Sequence, residues 1–388
     1  MSAKNQRFRV FPSANLSWSI FVALILSVPF AAAAEDGPKG ITQSIVLQPY
    51  NPNAVPCNKP PDLAKTLAYV QENEREFLEG VNHGLDAAAR DRGLSYRRVI
   101  VENDVPAAVK QIQAFRSDKG GVLIATSSNP AAVSSSLQEV IWSGAFVGTI
   151  VPPPATLLLN APQYATGKAL ADAAIDHINS KLGGKATVVL LTQDTMQFLA
   201  PRFAAMRDGL SALPNVVIVA DIAANPVSKE GGFNTMNMIL LANPDIDVVL
   251  GGDAVVLGAL KALRAAGKDR LDQFLGGIDG EPEAVSEIKK GDSPFKASIA
   301  LSSPVFGYAM GEYGADWLEG KSIPQAMDIL PSPLTKENIR QYEADLANPA
   351  SVFADPARRA KYLNMYGNIC YDSRDQYLNF PWSSENNK

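Results

Sequence analysis

The residues of this 388-residue chain best suited to chemistry are polar groups that follow short apolar runs. Tyr50 and Asn51 follow Ser44–Leu47, Asp194 follows Thr187–Leu191 with Gln193 beside it, Asp253 ends Val248-Val249-Leu250-Gly251-Gly252, and Asp279 ends Gly276-Gly277-Ile278. These types offer binding. A carboxylate accepts from two neighbouring hydroxyls, and hydrogen bonds to a charged group contribute roughly 1.5–3 kcal/mol each, so a few suffice to orient a polyol. Arg202 adds a planar fork of five donors for ring or hydroxyl oxygens. The glycines beside Asp253 and Asp279 let the backbone approach whatever binds. Each residue also has an ordinary alternative. Asp253 and Asp279 fit the N-caps of the helices after them, Arg202 fits a solvated charge paired to Asp194 or Asp208, and Tyr50 and Asn51 are common turn residues.

Catalytic patterns are missing. His83 and His177 sit in helical stretches without a spacing partner for a metal or a nucleophile. The sequence has no Gly-x-Ser-x-Gly elbow, no His-Glu-x-x-His and no phosphate-binding Gly-x-x-x-x-Gly-Lys loop, so neither an enzyme nor a metal or cofactor site is expected. A formal charge of -5 without a basic cluster excludes nucleic acid, whose phosphates demand concentrated Lys and Arg.

The elements that must position these groups alternate. Short β-branched runs (Ser44–Leu47, Arg97–Val101, Gly121–Ala125, Val147–Val151, Thr187–Leu191, Val216–Ala220, Val248–Leu250, Phe274–Gly276 and Ala297–Leu301) are separated by amphipathic stretches such as Val133, Leu137 and Ile141. That is the pattern of a parallel α/β sheet, which presents ligand groups at the carboxyl ends of its strands. The length suits about two domains. The alternation pauses at Pro152-Pro153-Pro154 and again at Ser302-Ser303-Pro304, both expected as crossovers between lobes. Beyond Pro349 a tail rich in Tyr, Asn and Asp is expected to wrap the surface.

Lys4, Arg7 and Arg9, the apolar run from Leu16 to Phe30 and the alanines before Glu35 have the layout of a signal peptide over 1–34, cleaved after Ala34. Export opens an oxidising route. Cys57, in a proline-rich loop, and Cys370, in the tail, are then either one long-range disulfide, adding roughly 2–4 kcal/mol, or two buried thiols.

The run Asn243-Pro-Asp-Ile-Asp-Val-Val-Leu-Gly-Gly-Asp253, with Leu257 to Gly267, Gly277-Ile-Asp-Gly280, Ile288-Lys-Lys-Gly291, Ala297 to Ala300, Gly307 and Trp317 to Lys321, resembles the ribose-binding-protein-like type I periplasmic binding proteins. Upstream, Glu79 to Ala89 with Gly93, and Tyr164-Ala-Thr-Gly167, fit the same family. The resemblance implies two Rossmann-like lobes with parallel sheets joined by a three-segment hinge. The N-terminal lobe would take 41–152 and 303–330, the C-terminal lobe 153–302 and 331–348, and an extension 349–388. It further implies a monomer in the periplasm that closes on a sugar or polyol and delivers it to an ABC importer permease, or else a sensor that docks on a chemoreceptor or kinase ectodomain. Asp279 and Arg202 match binding positions of the family, and Asp253 matches the acid of an Asn-Asp pair whose asparagine is Gly252 here. Val151-Pro152 stands where an Asp-Arg pair often grips the sugar.

Overall fold

The computed structural model describes residues 37–127, 129–150, 154–334 and 336–387; the expected signal peptide and Val151-Pro152 lie outside the described residues. Strands β1 (Ala64–Gln71), β2 (Ser95–Ile100), β3 (Gly120–Ala125), β4 (Phe146–Ile150), β5 (Leu157–Asn160), β11 (Ala326–Ile329) and β13 (Leu363–Tyr366) form one sheet in the order β13-β11-β5-β4-β3-β1-β2. Strands β6 (Ala186–Thr192), β7 (Val216–Ala223), β8 (Val248–Leu250), β9 (Phe274–Asp279), β10 (Phe295–Ala300) and β12 (Ser332–Pro333) form the second, in the order β12-β10-β9-β8-β6-β7. All pairings are parallel except β11 with β13 and β10 with β12. The two sheets are the cores of two lobes of a type I periplasmic binding protein fold.

Helices cover both faces, which is why β3 is buried at all its positions and reads as a continuous apolar run. Around the first sheet lie α1 (Glu76–Asp91), α2 (Val105–Ser117), α3 (Pro130–Trp142) and α9 (Ser303–Leu318). The second sheet carries α4 (Gln163–Lys181), α5 (Ala200–Ser211), α6 (Lys229–Ala242), α7 (Asp253–Ala265) and α8 (Pro282–Lys290). Sequence punctuation sets their starts: Asp104, Asn129 and Ser228 accept the first free N–H groups of α2, α3 and α6. In α1, Leu78, Val81, Leu85 and Ala88 recur at helical spacing and are buried. Gly84 on that face meets α9 so closely that a Cβ would lie 2.1 Å from Pro304 O.

Three sequence expectations need correction. Ser44–Leu47 forms no strand. It has only isolated bridges near it, and Leu47 packs into a small cluster with Leu158, Leu378 and Trp382, while Ala64–Gln71 supplies the first strand and the buried Leu67–Val70 core. The first crossover is not at Pro152-Pro153-Pro154, because β5 still pairs with β4 and β11 in the first sheet and the chain reaches the second only with α4. The tail is more than a surface wrap. After α10 (Ile339–Ala347), α11 (Pro349–Ala354) packs on α9, α12 (Pro356–Arg359) follows, and β13 joins the first sheet antiparallel to β11. At Ser302 the chain returns from β10 to α9, and between β11 and β12 it crosses once more.

Cys57 and Cys370 form a disulfide with their Cα atoms 6.1 Å apart, across 313 residues of sequence. Nearby, Cys57 N donates to Gly320 O at 2.7 Å and Asn58 N to the Asp372 carboxylate at 2.9 Å, so the N-terminal loop is fixed to the tail and to the end of α9. Closing so long a loop removes much freedom from the unfolded chain. The Cys57→Ser/Cys370→Ser variant is therefore expected to lose about 2–5 kcal/mol of unfolding free energy in urea titrations; an unchanged midpoint and slope would show that the bridge adds no stability.

Candidate functional site

The carboxyl ends of the strands of both lobes enclose a cleft of about 460 Å³. From the first lobe, the segment after β1 brings Glu72, Arg75 and Phe77, and the segment after β3 brings Thr126 and Ser127. In the second lobe, Gln193, Met196 and Phe198 follow β6, Gly252 follows β8, and Asp279 and Glu281 lie at and just after the end of β9. Ala161, Leu301 and Ile329, beside the chain crossovers, line its inner end.

Asp279 sits at φ 118°, a conformation that side-chain-bearing residues rarely adopt, and Gly280 follows at φ 72°. The support for this turn lies beneath it. Asp253 is fully buried, and its carboxylate accepts from Glu281 N at 2.8 Å and from the Ser298 hydroxyl at 2.8 Å. Ser298 Oγ in turn accepts from Gly280 N at 3.0 Å. Gly277 makes room, since a Cβ there would come within 1.7 Å of Asp253 Oδ1. Asp253 thus neither lines the cleft nor caps α7 with its side chain. It fixes the turn that presents Asp279.

Arg202 is 6% exposed. Its Nε donates to Gln163 Oε1 at 2.9 Å, while among the described residues no hydrogen bond or ion pair engages its two terminal nitrogens or the Asp279 carboxylate. Burial works against both charges, pulling the guanidinium's pKa down and pushing the carboxyl's up, and each is partly offset by the other's charge. The cleft therefore holds a half-buried acceptor, Asp279, and a donor on the buried Arg202 that are not spent on each other.

The other expected residues lie elsewhere. Tyr50 donates through its hydroxyl to Ser322 O at 3.0 Å, before the amino end of β11, and Asn51 N donates to Asn368 Oδ1 at 3.0 Å; both are at the far end of the first lobe because the first strand starts later in the chain than expected. Asp194 is paired with Arg207, which also holds Asp221, and it does not line the cleft. Conversely, Glu72, Arg75, Phe77, Gln163 and Glu281 were not singled out in the sequence. The signal for the first three was the apolar run Leu67–Val70 ending in Gln71-Glu72, which marks a strand end as clearly as the runs before Asp253 and Asp279.

Acids crowd the second-lobe wall. Burial, followed by the charge of Asp279, pushes Asp253 up to about 7 and Glu281 up to about 9. Backbone and Ser298 hydrogen bonds temper the shift of Asp253, and the charge of Lys229 tempers that of Glu281.

With this geometry in view, a family model described as a periplasmic binding protein domain matches residues 67–322. A D-apiose import binding protein of Actinobacillus succinogenes is 35% identical over 105 residues, which is 27% of this chain and 33% of that protein, so the match spans about a third of the curated relative. Among solved structures, a twin-arginine translocation pathway signal protein from Burkholderia phytofirmans is similar with TM-score 0.65 and 22% identity, over 79% of this chain and 99% of that one. A periplasmic solute-binding protein of an ABC transporter from Actinobacillus succinogenes, with bound D-allose, gives TM-score 0.63 and 19% identity over 71% and 99% of the two chains. An ABC transporter solute-binding protein from Bacillus halodurans, with bound myo-inositol, gives 0.62 and 19% over 73% and 99%. These structures share the fold.

A carboxyl whose pKa is raised by folding binds its proton more tightly in the native state, so stability falls as pH climbs from the ordinary carboxyl range through the folded value. Thermal midpoints of the ligand-free protein are accordingly expected to decline as pH rises, through about 7 for Asp253 and about 9 for Glu281. Asp253→Asn should flatten the lower part of that decline and Glu281→Gln the upper part. Curves parallel to wild type in both variants would refute the raised values.

Proposed function

Since the chain belongs to the periplasmic binding protein domain family, we propose that it captures a small polar solute, a sugar or polyol, in the cleft between its lobes and hands it to the membrane permease of an ABC importer. The observation that carries this reading is the pair Arg202 and Asp279, whose cleft-facing polar atoms have no partner among the described residues. Hydrogen bonds to charged groups contribute roughly 1.5–3 kcal/mol each, and a ligand rich in hydroxyls makes them by accepting from the guanidinium and donating to the carboxylate. Phe77 and Phe198 on the two walls offer apolar faces to the C–H face of a sugar ring. Relatives with bound D-allose, myo-inositol and allitol, and one named for D-apiose import, support this ligand class.

The mechanism is population shift. The cleft is lined by both lobes, so the ligand makes its full set of contacts only when they close on it, and its differential affinity for the closed form sets how far the equilibrium moves. The protein acts by binding, not by bond chemistry, as an exported periplasmic monomer whose single chain supplies both walls.

A thermal-shift screen with D-allose, myo-inositol, allitol, D-apiose, amino acids and nucleosides tests this reading. A binding polyol at about a hundred times its Kd is expected to stabilise the protein by roughly 2.7 kcal/mol. Asp279→Asn, which tolerates the turn's backbone better than alanine, and Arg202→Gln should each abolish the shift. A shift with amino acids or nucleosides alone, or with nothing, would overturn the proposal.

A further inference from the structure

The C-terminal tail is anchored on the first lobe and ends on the second. Leu378 exchanges backbone hydrogen bonds with Ala155 at 3.0 Å in both directions, and buried Trp382 donates through Nε1 to Ile45 O at 3.2 Å. Three residues on, Glu385 accepts from Tyr164 N at 3.2 Å and from Ala165 N at 2.8 Å, two free donors in the first turn of α4. The residue before that helix is Pro162, which supplies no side-chain cap, so the carboxylate takes the place of one and meets the positive end of the helix. Gln163, the first residue of α4, accepts from Arg202 Nε, and one turn later Gly167 packs so tightly on Arg202 that a Cβ would lie 1.8 Å from its carbonyl oxygen. Just before Glu385, Ser384 faces Asp328 and tempers the burial-driven rise of its pKa; Asp328 accepts from Asn160 Nδ2 at 2.7 Å, and Asp328 and Asn160 end or nearly end β11 and β5, the strands that lead into two of the crossovers.

We propose that Glu385 is a positioning residue of the binding site: from a tail carried by the first lobe, it holds the start of the second-lobe helix that sets Gln163 and, through it, Arg202. The role in binding rests on the function proposed above; the cap itself is tested independently of any ligand. The experiment uses the exported, disulfide-bonded chain as wild type, Glu385→Gln, Glu385→Ala and a chain ending at Ser383, with hydrogen exchange at Tyr164 and Ala165 and isothermal titration of D-allose, myo-inositol and allitol. Glu385→Ala and the shortened chain are expected to speed exchange at both amides at least about tenfold and to weaken polyol binding at least about fivefold, with Glu385→Gln between them and wild type. The thermal midpoint of the ligand-free protein should move little, since Trp382 and the disulfide stay in place. Unchanged exchange, or faster exchange with unchanged affinity, would overturn the proposal, the second result leaving Glu385 a plain structural cap. A wild type that binds none of the three compounds would count against the functional reading itself, an outcome distinct from a binding wild type whose variants bind equally well.

Discussion

One buried carboxylate underlies the cleft. Taking the Asp253 side chain out of water is unfavourable, and the structure offsets that by aiming the Ser298 hydroxyl and the N–H of Glu281 at it. Because those donors belong to the next strand and to the turn after β9, the same bonds lock β8, β9 and β10 at their carboxyl ends. The unusual backbone of Asp279 persists because its surroundings over-determine it. Loosening Asp253 would therefore disturb this wall of the cleft without removing any residue that lines it.

The second constraint is restraint in pairing. Arg202 and Asp279 feel each other's charge, yet no ion pair joins them. A tight pair would satisfy both groups internally and leave a ligand to compete with an existing bond. Held apart, each keeps its hydrogen-bonding capacity for a ligand. The neighbouring Glu281, crowded by Asp279 and Asp253, adds to the same imbalance.

Most of the architecture was readable from periodicity, because buried parallel strands are short apolar runs and their helices carry one apolar face. The place of Asp279 and Arg202 in the cleft was legible for the same reason: an acid that ends β9 and a basic residue in the helix after β6 lie near strand ends. The failures have a common origin. Ile45 to Leu47 looks like a strand, but pairing is a long-range property, and the partner for that stretch is a tail more than 300 residues away. Misplacing the first strand put Tyr50 and Asn51 in a cleft they do not reach and hid Glu72, Arg75 and Phe77. Asp253 looked like a ligand group or a helix cap because sequence does not reveal which way a side chain turns at a strand end. Glu385 gave no signal, since a tertiary cap leaves no spacing pattern.

The arrangement of the chain also bears on the order in which it can assemble. The second sheet draws its strands from β6 to β10 in one unbroken stretch, with only the two residues of β12 added later. The first sheet remains incomplete until β11 and then β13 have been made. During synthesis from the N-terminus, the later-encoded lobe can thus reach a nearly complete core while the earlier one still exposes the open edge of β5. Exposed strand edges of this kind invite wrong pairing. The first lobe's integrity therefore depends on β13, a strand made only after the whole core of the second lobe.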